Sequence, residues 1–364
     1  MLNEVYLDKL VSIMGAEKVD AMLIAPSEDL EFLLGFSPHM DERFQGFFIT
    51  KDKEMFYIVP QLNREEMQGT LRGRKVYDWS DGEGFLDTVE TALKEFGLEN
   101  KTIGVNGTTS AVSVLDIKNR INVNFVNGRP ILEELRIIKS DDELENLRKA
   151  AAIADRVFEE ILEYIKPGLQ EKDIKERIQE LFIKNGADDI SFNPIVASGP
   201  NSSKPHYNQY SRYIQEKDVI ILDFGCKYKG LCSDMSRTVF VGGVTDDERK
   251  IYDIVYKAQD EGEKAVKEGV TAESVDAVSR NIIKEAGYGE YFLNRLGHGI
   301  GFSVHEAPDI KGGNKRVLEK GMAFSIEPGI YLPGKFGVRI ENIVIIGKDG
   351  PEAINKANKE LVVV

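Results

Sequence analysis

The sequence predicts a small α/β domain over residues 1–134, followed by a larger α+β domain with a pseudo-twofold repeat over residues 135–364. Three observations support this prediction. The 364 residues exceed what a single hydrophobic core usually serves. Strand-like and helical patterns alternate through the first third of the chain. A pattern with a period of about 100 residues then occurs twice, and this period is too long for a solenoid.

The amino-terminal third contains short β-rich runs separated by helical patterns. Pro130 and the polar segment 135–143 then mark a domain boundary near residue 135. Helices are predicted at 83–95 and 109–119. Strands are predicted at 20–26, in a hairpin over 45–60, and at 101–106 and 123–128.

The carboxy-terminal part contains the internal repeat. Residues 140–143 and 245–248 each form a capping box that opens a long helix. Residues 165–186 then match residues 266–287 in hydrophobic pattern, and each copy is a helix end, a turn and a second helix that ends at a glycine. Each copy is followed by a histidine, His206 or His305, and by a β-hairpin with two acids. The chemistry therefore repeats with the fold.

Four carboxylates lie in otherwise apolar, strand-like segments: Asp223, Asp234, Glu327 and Glu341. A buried ionised carboxylate without a partner costs several kcal/mol, so a group of them implies a strong positive charge among them. They could instead be edge acids on solvated faces, but apolar flanks such as 219–222 and 343–346 disfavour that interpretation. The pattern favours a metal site.

The two hairpins should place these acids in facing pairs. A two-residue turn at Tyr228 and Lys229 would set Asp223 directly opposite Asp234. A turn around residues 333–335 would set Glu327 opposite Glu341 in the same way. Two carboxylates so close repel each other unless a cation lies between them.

Three of the 4 histidines of the chain, His206, His298 and His305, fall in this half. Gly297 and Gly299 flank His298, and such small neighbours would let the backbone and a metal approach closely. The segment lacks the second histidine of HExxH and the glycine spacing of GxGxxG, and the chain has no P-loop or GxSxG motif. These absences exclude a zincin, a Rossmann dinucleotide site and a serine hydrolase.

Composition excludes other classes. A net charge of -14 and a pI near 5.0 argue against nucleic acid or an anionic membrane as partner. The chain has no apolar run of the roughly 18 residues that a membrane span needs, and the first residues lack a signal-peptide core, so we expect a cytoplasmic protein. Cys226 and Cys232 could be soft metal ligands, but buried free thiols are the better interpretation.

In order and spacing, Asp223, Asp234, His298, Glu327 and Glu341 resemble the five metal ligands of the pita-bread metallopeptidases: prolidase (Xaa-Pro dipeptidase), aminopeptidase P and methionine aminopeptidase. The prolidase and aminopeptidase P branch also carries a creatinase-like amino-terminal domain, which residues 1–134 resemble. Creatinase shares the fold without this ligand set, so its activity is not expected here.

The resemblance implies two divalent metal ions, with Mn²⁺ or Co²⁺ favoured and Zn²⁺ or Fe²⁺ as alternatives, and a bridging hydroxide as nucleophile. Asp223 would bind one ion, Asp234 and Glu341 would bridge both, and His298 and Glu327 would complete the second site. Glu327 would also shuttle a proton to the leaving nitrogen. His206 and His305 would hold the substrate carbonyl. Arg339 would contact the ligand residues or the substrate.

The resemblance also implies small peptides with proline at the second position as substrates. Strict prolidases often carry an arginine after His-Glu-x-Pro that can pair with a dipeptide carboxylate, and this chain has Asp309 there. We expect this acid to repel such a carboxylate, with Lys311 or Lys315 as possible compensation, so Xaa-Pro dipeptidase and aminopeptidase activities are both retained. An aminopeptidase of other specificity and a non-catalytic peptide-binding module are further alternatives.

In these relatives the amino-terminal domain mediates homodimerisation and can reach the active site of the partner. The loop 37–46, with His39 and Arg43, is the candidate for such reach, and the alternative is an ordinary solvated loop.

Overall fold

The computed structural model describes residues 4–71 and 73–364. The chain forms two compact units, one ending at Arg136 and the other beginning at Ile137. Among the described residues, no helix has both the length and the apolar character that crossing a membrane requires.

The amino-terminal unit is built on a six-stranded mixed sheet in the order β4-β3-β2-β1-β5-β6. Strands β2 and β3 form the predicted antiparallel hairpin, whereas β1, β5 and β6 pair in parallel. Its elements are α1 (Glu4–Ala16), β1 (Ala21–Ile24), α2 (Glu28–Leu34), β2 (Gly46–Thr50), β3 (Met55–Pro60), α3 (Arg64–Thr70), β4 (Lys75–Trp79), α4 (Leu86–Glu95), β5 (Thr102–Val105), α5 (Ala111–Arg120), β6 (Asn124–Asn127) and α6 (Arg129–Arg136).

The loop that carries His39 and Arg43 is held by contacts within this unit. The Arg43 guanidinium makes two parallel hydrogen bonds of 3.0 Å to the carboxylate of Asp81, and it also contacts Asp41 at 3.3 Å. These bonds fix the guanidinium to its own unit. The predicted reach towards a partner subunit stays a prediction.

The carboxy-terminal unit holds two main sheets, with the small sheets β11-β10-β7 and β16-β17 beside them. In the sheet β20-β12-β9-β8 the pair β12–β20 is parallel and the other pairs are antiparallel, and the sheet β14-β13-β15-β18-β19 is antiparallel throughout. Its elements are α7 (Asp141–Leu162), α8 (Glu171–Lys184), β7 (Asp189–Ile190), β8 (Ile195–Ser198), β9 (Val219–Phe224), β10 (Cys226–Tyr228), β11 (Leu231–Cys232), β12 (Met235–Phe240), α9 (Asp246–Ala265), α10 (Ala272–Glu285), β13 (Gly297–Gly299), β14 (Glu306–Ile310), β15 (Ala323–Ile326), β16 (Gly329–Leu332), β17 (Phe336–Arg339), β18 (Asn342–Gly347), β19 (Gly350–Ala353) and β20 (Val362–Val363).

The structure confirms the internal repeat. Both predicted capping boxes form, at Ser140 with Glu143 and at Thr245 with Glu248. Helices α7 and α8 pack on β9 and β12 in one apolar core, and α9 and α10 pack on β15 and β18 in another. Each half therefore buries the apolar face of its own sheet under its own helix pair.

The predicted register of the first hairpin is wrong. Asp223 lies opposite Ser236 rather than Asp234, because the turn is at Lys229 and Gly230 and not one residue earlier. Both turn residues have positive φ, 49° and 80°, which is the type I′ geometry that favours glycine at the second position. A turn shifted by one residue changes the cross-strand partner of every residue in the hairpin by two positions.

The predicted register of the second hairpin is confirmed. Ile326 pairs with Asn342 and Gly329 pairs with Arg339, so the same register holds on both sides of Glu327 and Glu341. These two glutamates therefore face each other at a break in the ladder between β15–β18 and β16–β17.

Candidate metal centre

The acids lie at or beside strand ends, where the two halves of the unit meet. Hydrogen bonds join the halves: the backbone N–H of Glu341 donates to Ser236 O at 3.0 Å, and that of Arg339 donates to the side-chain Oγ1 of Thr238 at 3.0 Å. The Thr238 hydroxyl in turn donates to Arg339 O at 2.9 Å. These hydrogen bonds bring residues that are about 100 positions apart in sequence into one cluster.

Asp234, His298 and Glu341 form the centre of that cluster. One ligand atom of each lies within 4.8 Å of the others, and the residues are only 4%, 3% and 2% exposed. Asp234 Oδ1 and Glu341 Oε1 are buried and receive no hydrogen bond, and the same is true of Oδ1 of the neighbouring Asp223. Orphaned carboxylate oxygens at this depth fit a bound cation, because no hydrogen-bond donor among the described residues offsets the desolvation of these atoms.

His298 has the geometry of a nitrogen ligand. Its Nδ1 lies 3.1 Å from the carbonyl oxygen of Gly299, which can only accept, so the ring proton belongs on Nδ1. Nε2 then presents its lone pair to Glu327 Oε1 at 3.3 Å and to Asp234 Oδ2 at 3.6 Å. Burial, with the nearby His305, lowers the pKa of His298 to about 3, so the ring is neutral. A lone pair that faces two carboxylates is explained by a cation among them.

Burial and mutual repulsion disfavour ionisation of the acids. Burial first, and then the charges of Glu327 and Asp223, raise the pKa of Glu341 well above its usual value, and Asp234 is raised in the same way. Burial raises the pKa of Glu327 to about 7, although the positive charge of Arg339 opposes the shift. Divalent cations would reverse these directions by stabilising the ionised forms. Four carboxylates and one neutral imidazole therefore fit divalent metal ions.

Arg339 is 3% exposed, and its donors serve protein acceptors. Nη2 donates to Asp223 Oδ2 at 2.6 Å, Nε to Ser236 Oγ at 2.7 Å, and Nη1 to Tyr331 Oη at 2.9 Å. Of the two roles predicted for Arg339, this geometry supports the contact with the ligand residues. The contact with substrate stays a prediction.

The close approach of backbone that was expected at Gly297 and Gly299 is confirmed. A Cβ atom at Gly297 would lie 1.8 Å from Ser325 O, and one at Gly299 would lie 2.1 Å from Ala307 O. The glycines allow the neighbouring strands β15 and β14 to approach β13 closely. They position His298 through the sheet, and the close approach of a metal stays a prediction.

His206 and His305 are exposed beside the cluster. The rings of His305 and His298 are nearly perpendicular, with centroids 4.3 Å apart. Partial burial, and then the charge of Arg295, lower the pKa of His305, so its ring is a neutral hydrogen-bonding group. Pro205, the residue before His206, belongs to the hydrogen-bond network of Arg339, because Pro205 O accepts from Arg339 Nη1 at 3.2 Å.

The loop around His305 is anchored by a buried ion pair. Glu306 Oε2 lies 3.0 Å from Lys139 Nζ, with side chains 2% and 3% exposed. Glu306 Oε1 also accepts from Ser303 N at 2.9 Å. Both carboxylate oxygens of Glu306 thus have partners, which fixes the position of the residue next to His305.

Four further residues of this site are not among those that the sequence pattern predicted. Ser325 Oγ donates to Glu327 Oε1 at 3.2 Å and accepts from His298 N at 3.0 Å, and Ser236 Oγ donates to Glu341 Oε2 at 2.8 Å. The other two are Tyr331 and the buried Arg237. Hydroxyls at alternate positions of strands that carry acids are the signal that could have identified the serines.

Arg237 is 1% exposed and donates mainly to carbonyl oxygens. It contacts Glu341 O at 2.6 Å, Ala357 O at 2.9 Å and Asn358 O at 3.0 Å. Burial lowers its pKa to about 10. This cation therefore fixes the Glu341 backbone to the carboxy-terminal segment without forming a direct ion pair with the acids.

Cys226 and Cys232 are buried free thiols, as expected. Their sulfur atoms lie near the carbonyl oxygens of Ala150, at 3.6 Å, and Phe302, at 3.4 Å. Neither belongs to the group of potential metal ligands found among the described residues.

Asp309 is paired with two cations, and the compensation predicted for Lys311 is present, whereas repulsion of a substrate carboxylate stays a prediction. Asp309 Oδ1 lies 3.1 Å from Arg295 Nη1, and Oδ2 lies 2.7 Å from Lys311 Nζ. Partial burial raises the pKa of Asp309, but the Lys311 hydrogen bond and the Arg295 charge outweigh it, and the net shift is downward. Sequence spacing identified Lys311 as a compensating cation but did not identify Arg295.

Comparison with known proteins agrees with this geometry. Residues 145–348 match the model of metallopeptidase family M24, and residues 7–138 match the creatinase/prolidase amino-terminal domain. The chain is 35% identical to an Xaa-Pro dipeptidase of Pyrococcus furiosus over 98% of this chain and 99% of that protein. It is 36% identical to a probable dipeptidase, PepE, of Mycobacterium tuberculosis over 99% of this chain and 97% of that protein.

Solved structures show the same fold over the whole chain. A prolidase from Thermococcus sibiricus superimposes with a TM-score of 0.94 at 39% identity and covers 100% of both chains. An X-Pro aminopeptidase from Thermotoga maritima superimposes with a TM-score of 0.84 at 30% identity, over 98% of this chain and 99% of that one.

Proposed function

Because this chain belongs to metallopeptidase family M24, we propose that it is a metal-dependent Xaa-Pro dipeptidase. The observation that carries the proposal is the buried group of Asp234, His298 and Glu341, in which carboxylate oxygens lack donors and an imidazole lone pair faces acids. The names of the relatives, Xaa-Pro dipeptidase and prolidase, support the dipeptide substrate.

We propose that five residues hold two divalent ions, Mn²⁺ or Co²⁺: Asp223, Asp234, His298, Glu327 and Glu341. The charge balance supports two ions, because four carboxylates and a neutral imidazole match two divalent cations. When bound there, such ions supply a Lewis acid and lower the pKa of a water molecule. Arg339 orients Asp223 through a charge-assisted hydrogen bond of 2.6 Å.

Side chains at the edge of the metal cluster carry out the remaining steps of the proposed reaction, which are proton transfer and stabilisation of the carbonyl oxygen. Glu327 is 16% exposed in its side chain, so it borders the cluster and still reaches solvent. There it can accept a proton from the attacking water and deliver it to the leaving proline nitrogen. His305 and His206, both exposed beside the cluster, can donate hydrogen bonds to the scissile carbonyl oxygen as negative charge develops on it.

The test uses purified protein treated with chelator and then reconstituted with Mn²⁺ or Co²⁺. Elemental analysis should give two ions per chain, and Ala-Pro should be hydrolysed at least about tenfold faster than Ala-Pro-Ala, a difference of about 1.4 kcal/mol. The reverse preference would assign the chain as an Xaa-Pro aminopeptidase. Fewer than one ion per chain without hydrolysis of either peptide would indicate a non-catalytic peptide-binding module.

A further inference from the structure

Segment 292–296, which leads into β13, is held by an ion pair on helix α10 between Asp276 and Arg280 (the α10 ion pair). Arg280 makes two hydrogen bonds of 2.8 Å to the Asp276 carboxylate, one turn earlier on the helix, and Asp276 is 2% exposed. Arg280 also donates to the carbonyl oxygens of Phe292, at 3.4 Å, and Asn294, at 3.0 Å. Its guanidinium lies 4.2 Å from the centre of the Phe292 ring. The arginine thus fixes both the backbone and an aromatic ring of the segment.

Leu296 connects the α10 ion pair to Glu327. Its backbone N–H donates to Asp276 Oδ1 at 3.3 Å, and its carbonyl oxygen accepts from the backbone N–H of Glu327 at 2.8 Å. The side chain of Asn294 donates to Glu327 O at 3.4 Å. Both backbone groups of Glu327 therefore bind the segment that α10 holds.

His298 follows two residues after Leu296 and is joined to Glu327 as well. Ser325 Oγ accepts from His298 N at 3.0 Å and donates to Glu327 Oε1 at 3.2 Å. Nε2 of His298 lies 3.3 Å from the same carboxylate oxygen. The position of both side chains therefore depends on segment 292–296.

Asp223 and Glu341 are held by other elements. Arg339 on β17 donates to Asp223 Oδ2 at 2.6 Å, and Ser236 on β12 donates to Glu341 Oε2 at 2.8 Å. The backbone N–H of Glu341 also donates to Ser236 O at 3.0 Å. A displacement of segment 292–296 would thus move two of the five proposed metal ligands and leave these two in place.

We propose that the α10 ion pair positions His298 and Glu327, and that it thereby sets the affinity for one of the two metal ions, the ion that these two residues bind. This inference rests on the proposed function. Hydrogen-bond partners behind a ligand fix its orientation, and their loss costs about 10- to 100-fold in metal affinity. The ion bound by Asp223 keeps its own anchor at Arg339. Removal of the α10 ion pair therefore separates the affinities of the two ions.

The experiment titrates metal-free wild type, Arg280→Gln and Arg280→Lys with Mn²⁺ by calorimetry. Electron paramagnetic resonance of the loaded proteins distinguishes a single Mn²⁺ from a coupled pair without turnover. Hydrogen exchange of the Leu296 and Glu327 amides in metal-free protein measures how firmly the segment is held. Arg177→Gln is the matched control, because Arg177 lies on α8, the equivalent helix of the other half, and pairs with Glu180 at 2.9 Å.

In Arg280→Gln, the affinity for one ion should fall by about 10- to 100-fold, while the affinity for the other ion equals that of the wild type. One equivalent of Mn²⁺ should then give the spectrum of a single ion, and the Leu296 and Glu327 amides should exchange faster. Arg280→Lys should recover part of the affinity, because an ammonium can pair with Asp276 but lacks the planar fork that also reaches the two carbonyl oxygens.

An equal loss of affinity for both ions in Arg280→Gln, or no loss for either, would overturn the proposal. If Arg280→Gln does not fold, Arg280→Lys decides by the same criterion, with a smaller loss for one ion expected. If the wild type binds fewer than one ion, the proposed function fails, and hydrogen exchange still decides the positioning role. Faster exchange at Glu327 in the variant would support that role, and unchanged exchange would refute it.

Discussion

Arg339 donates from Nη2 to Oδ2 of Asp223 at 2.6 Å, although the two residues are 116 positions apart in sequence. This bond leaves Oδ1 of Asp223 buried without a donor. The arginine thus orients the carboxylate so that one oxygen is directed to a protein partner and the other remains available to a cation. The relationship depends on the planar guanidinium, because the same group also binds Ser236 and Tyr331.

We therefore expect Arg339→Lys to weaken metal binding. An ammonium group cannot reach the three acceptors at once, so Asp223 loses its fixed orientation, and affinity for Mn²⁺ should fall by about 10- to 100-fold. Isothermal titration with Mn²⁺ measures the change, and Arg177→Lys on α8 is the matched surface control. An affinity equal to that of the wild type would show that Asp223 needs no orientation by Arg339.

Glu341→Gln should stabilise the metal-free protein while it impairs metal binding. The substitution replaces an ionisable group whose burial is unfavourable and whose Oε1 has no donor, and the amide oxygen can still accept from Ser236 Oγ. At pH 8 we expect a gain of about 1–3 kcal/mol in the free energy of unfolding of metal-free protein. Urea denaturation with and without Mn²⁺ measures both effects, with Glu180→Gln as the surface control. A destabilised metal-free variant would contradict the prediction.

The stability of the metal-free protein should fall as the pH rises towards neutrality. Burial raises the pKa of Glu327 to about 7, whereas a glutamate in an unfolded chain titrates near about 4.3. The folded state therefore holds a proton that the unfolded state has lost, so this contribution is complete below about pH 4.3 and lost above about pH 7. Asp234 and Glu341 are shifted in the same direction.

The buried His298 acts in the opposite direction. Because its pKa is about 3, the unfolded chain binds a proton below about pH 6.5 that the folded state does not bind. This difference lowers the stability of the folded state as the pH falls. The carboxylate effect is thus best measured between about pH 6.5 and 8, by the melting temperature of chelated protein, which should fall across that window. Glu327→Gln should flatten the slope, and Mn²⁺ should reverse it, because metal binding needs ionised ligands. A rising melting temperature without metal would refute this account.

Glu171→Gln should lower activity without changing metal affinity. Glu171 is fully buried, and its two carboxylate oxygens accept hydrogen bonds from the loop that carries His206. The donors are the backbone and hydroxyl of Ser198, the amide of Asn201, the hydroxyl of Tyr207 and the backbone of Arg212. An amide at this position would direct N–H groups at these donors, which costs about 1–3 kcal/mol.

With Glu171→Gln we expect a reduced kcat and reduced stability to urea, but the wild-type affinity for Mn²⁺, because the loop holds His206 and no proposed metal ligand. Glu176→Gln, at an exposed position of the same helix, is the control. A loss of Mn²⁺ affinity equal to the loss of kcat would show that the loop supports the metal centre itself.

Much of the fold follows from local sequence pattern. The capping boxes at Ser140 and Thr245 depend on residues three positions apart, so both are visible in the sequence and both form. The register of the second hairpin was also predictable, because the strands have the same register on both sides of the break at Glu327 and Glu341. The register of the first hairpin was not, because the backbone conformation of Lys229 and Gly230 decides it.

The sequence by itself determined which side chains could form a metal centre. The four acids lie among the apolar residues that are typical of buried strands, and the histidine lies between two glycines. Tertiary structure alone decided how those side chains are held and charged. Arg339 reaches Asp223, and Arg295 pairs with Asp309, across separations that no local pattern encodes. An ion pair depends on a distance of a few Å in space, and only the packing of the strands sets that distance.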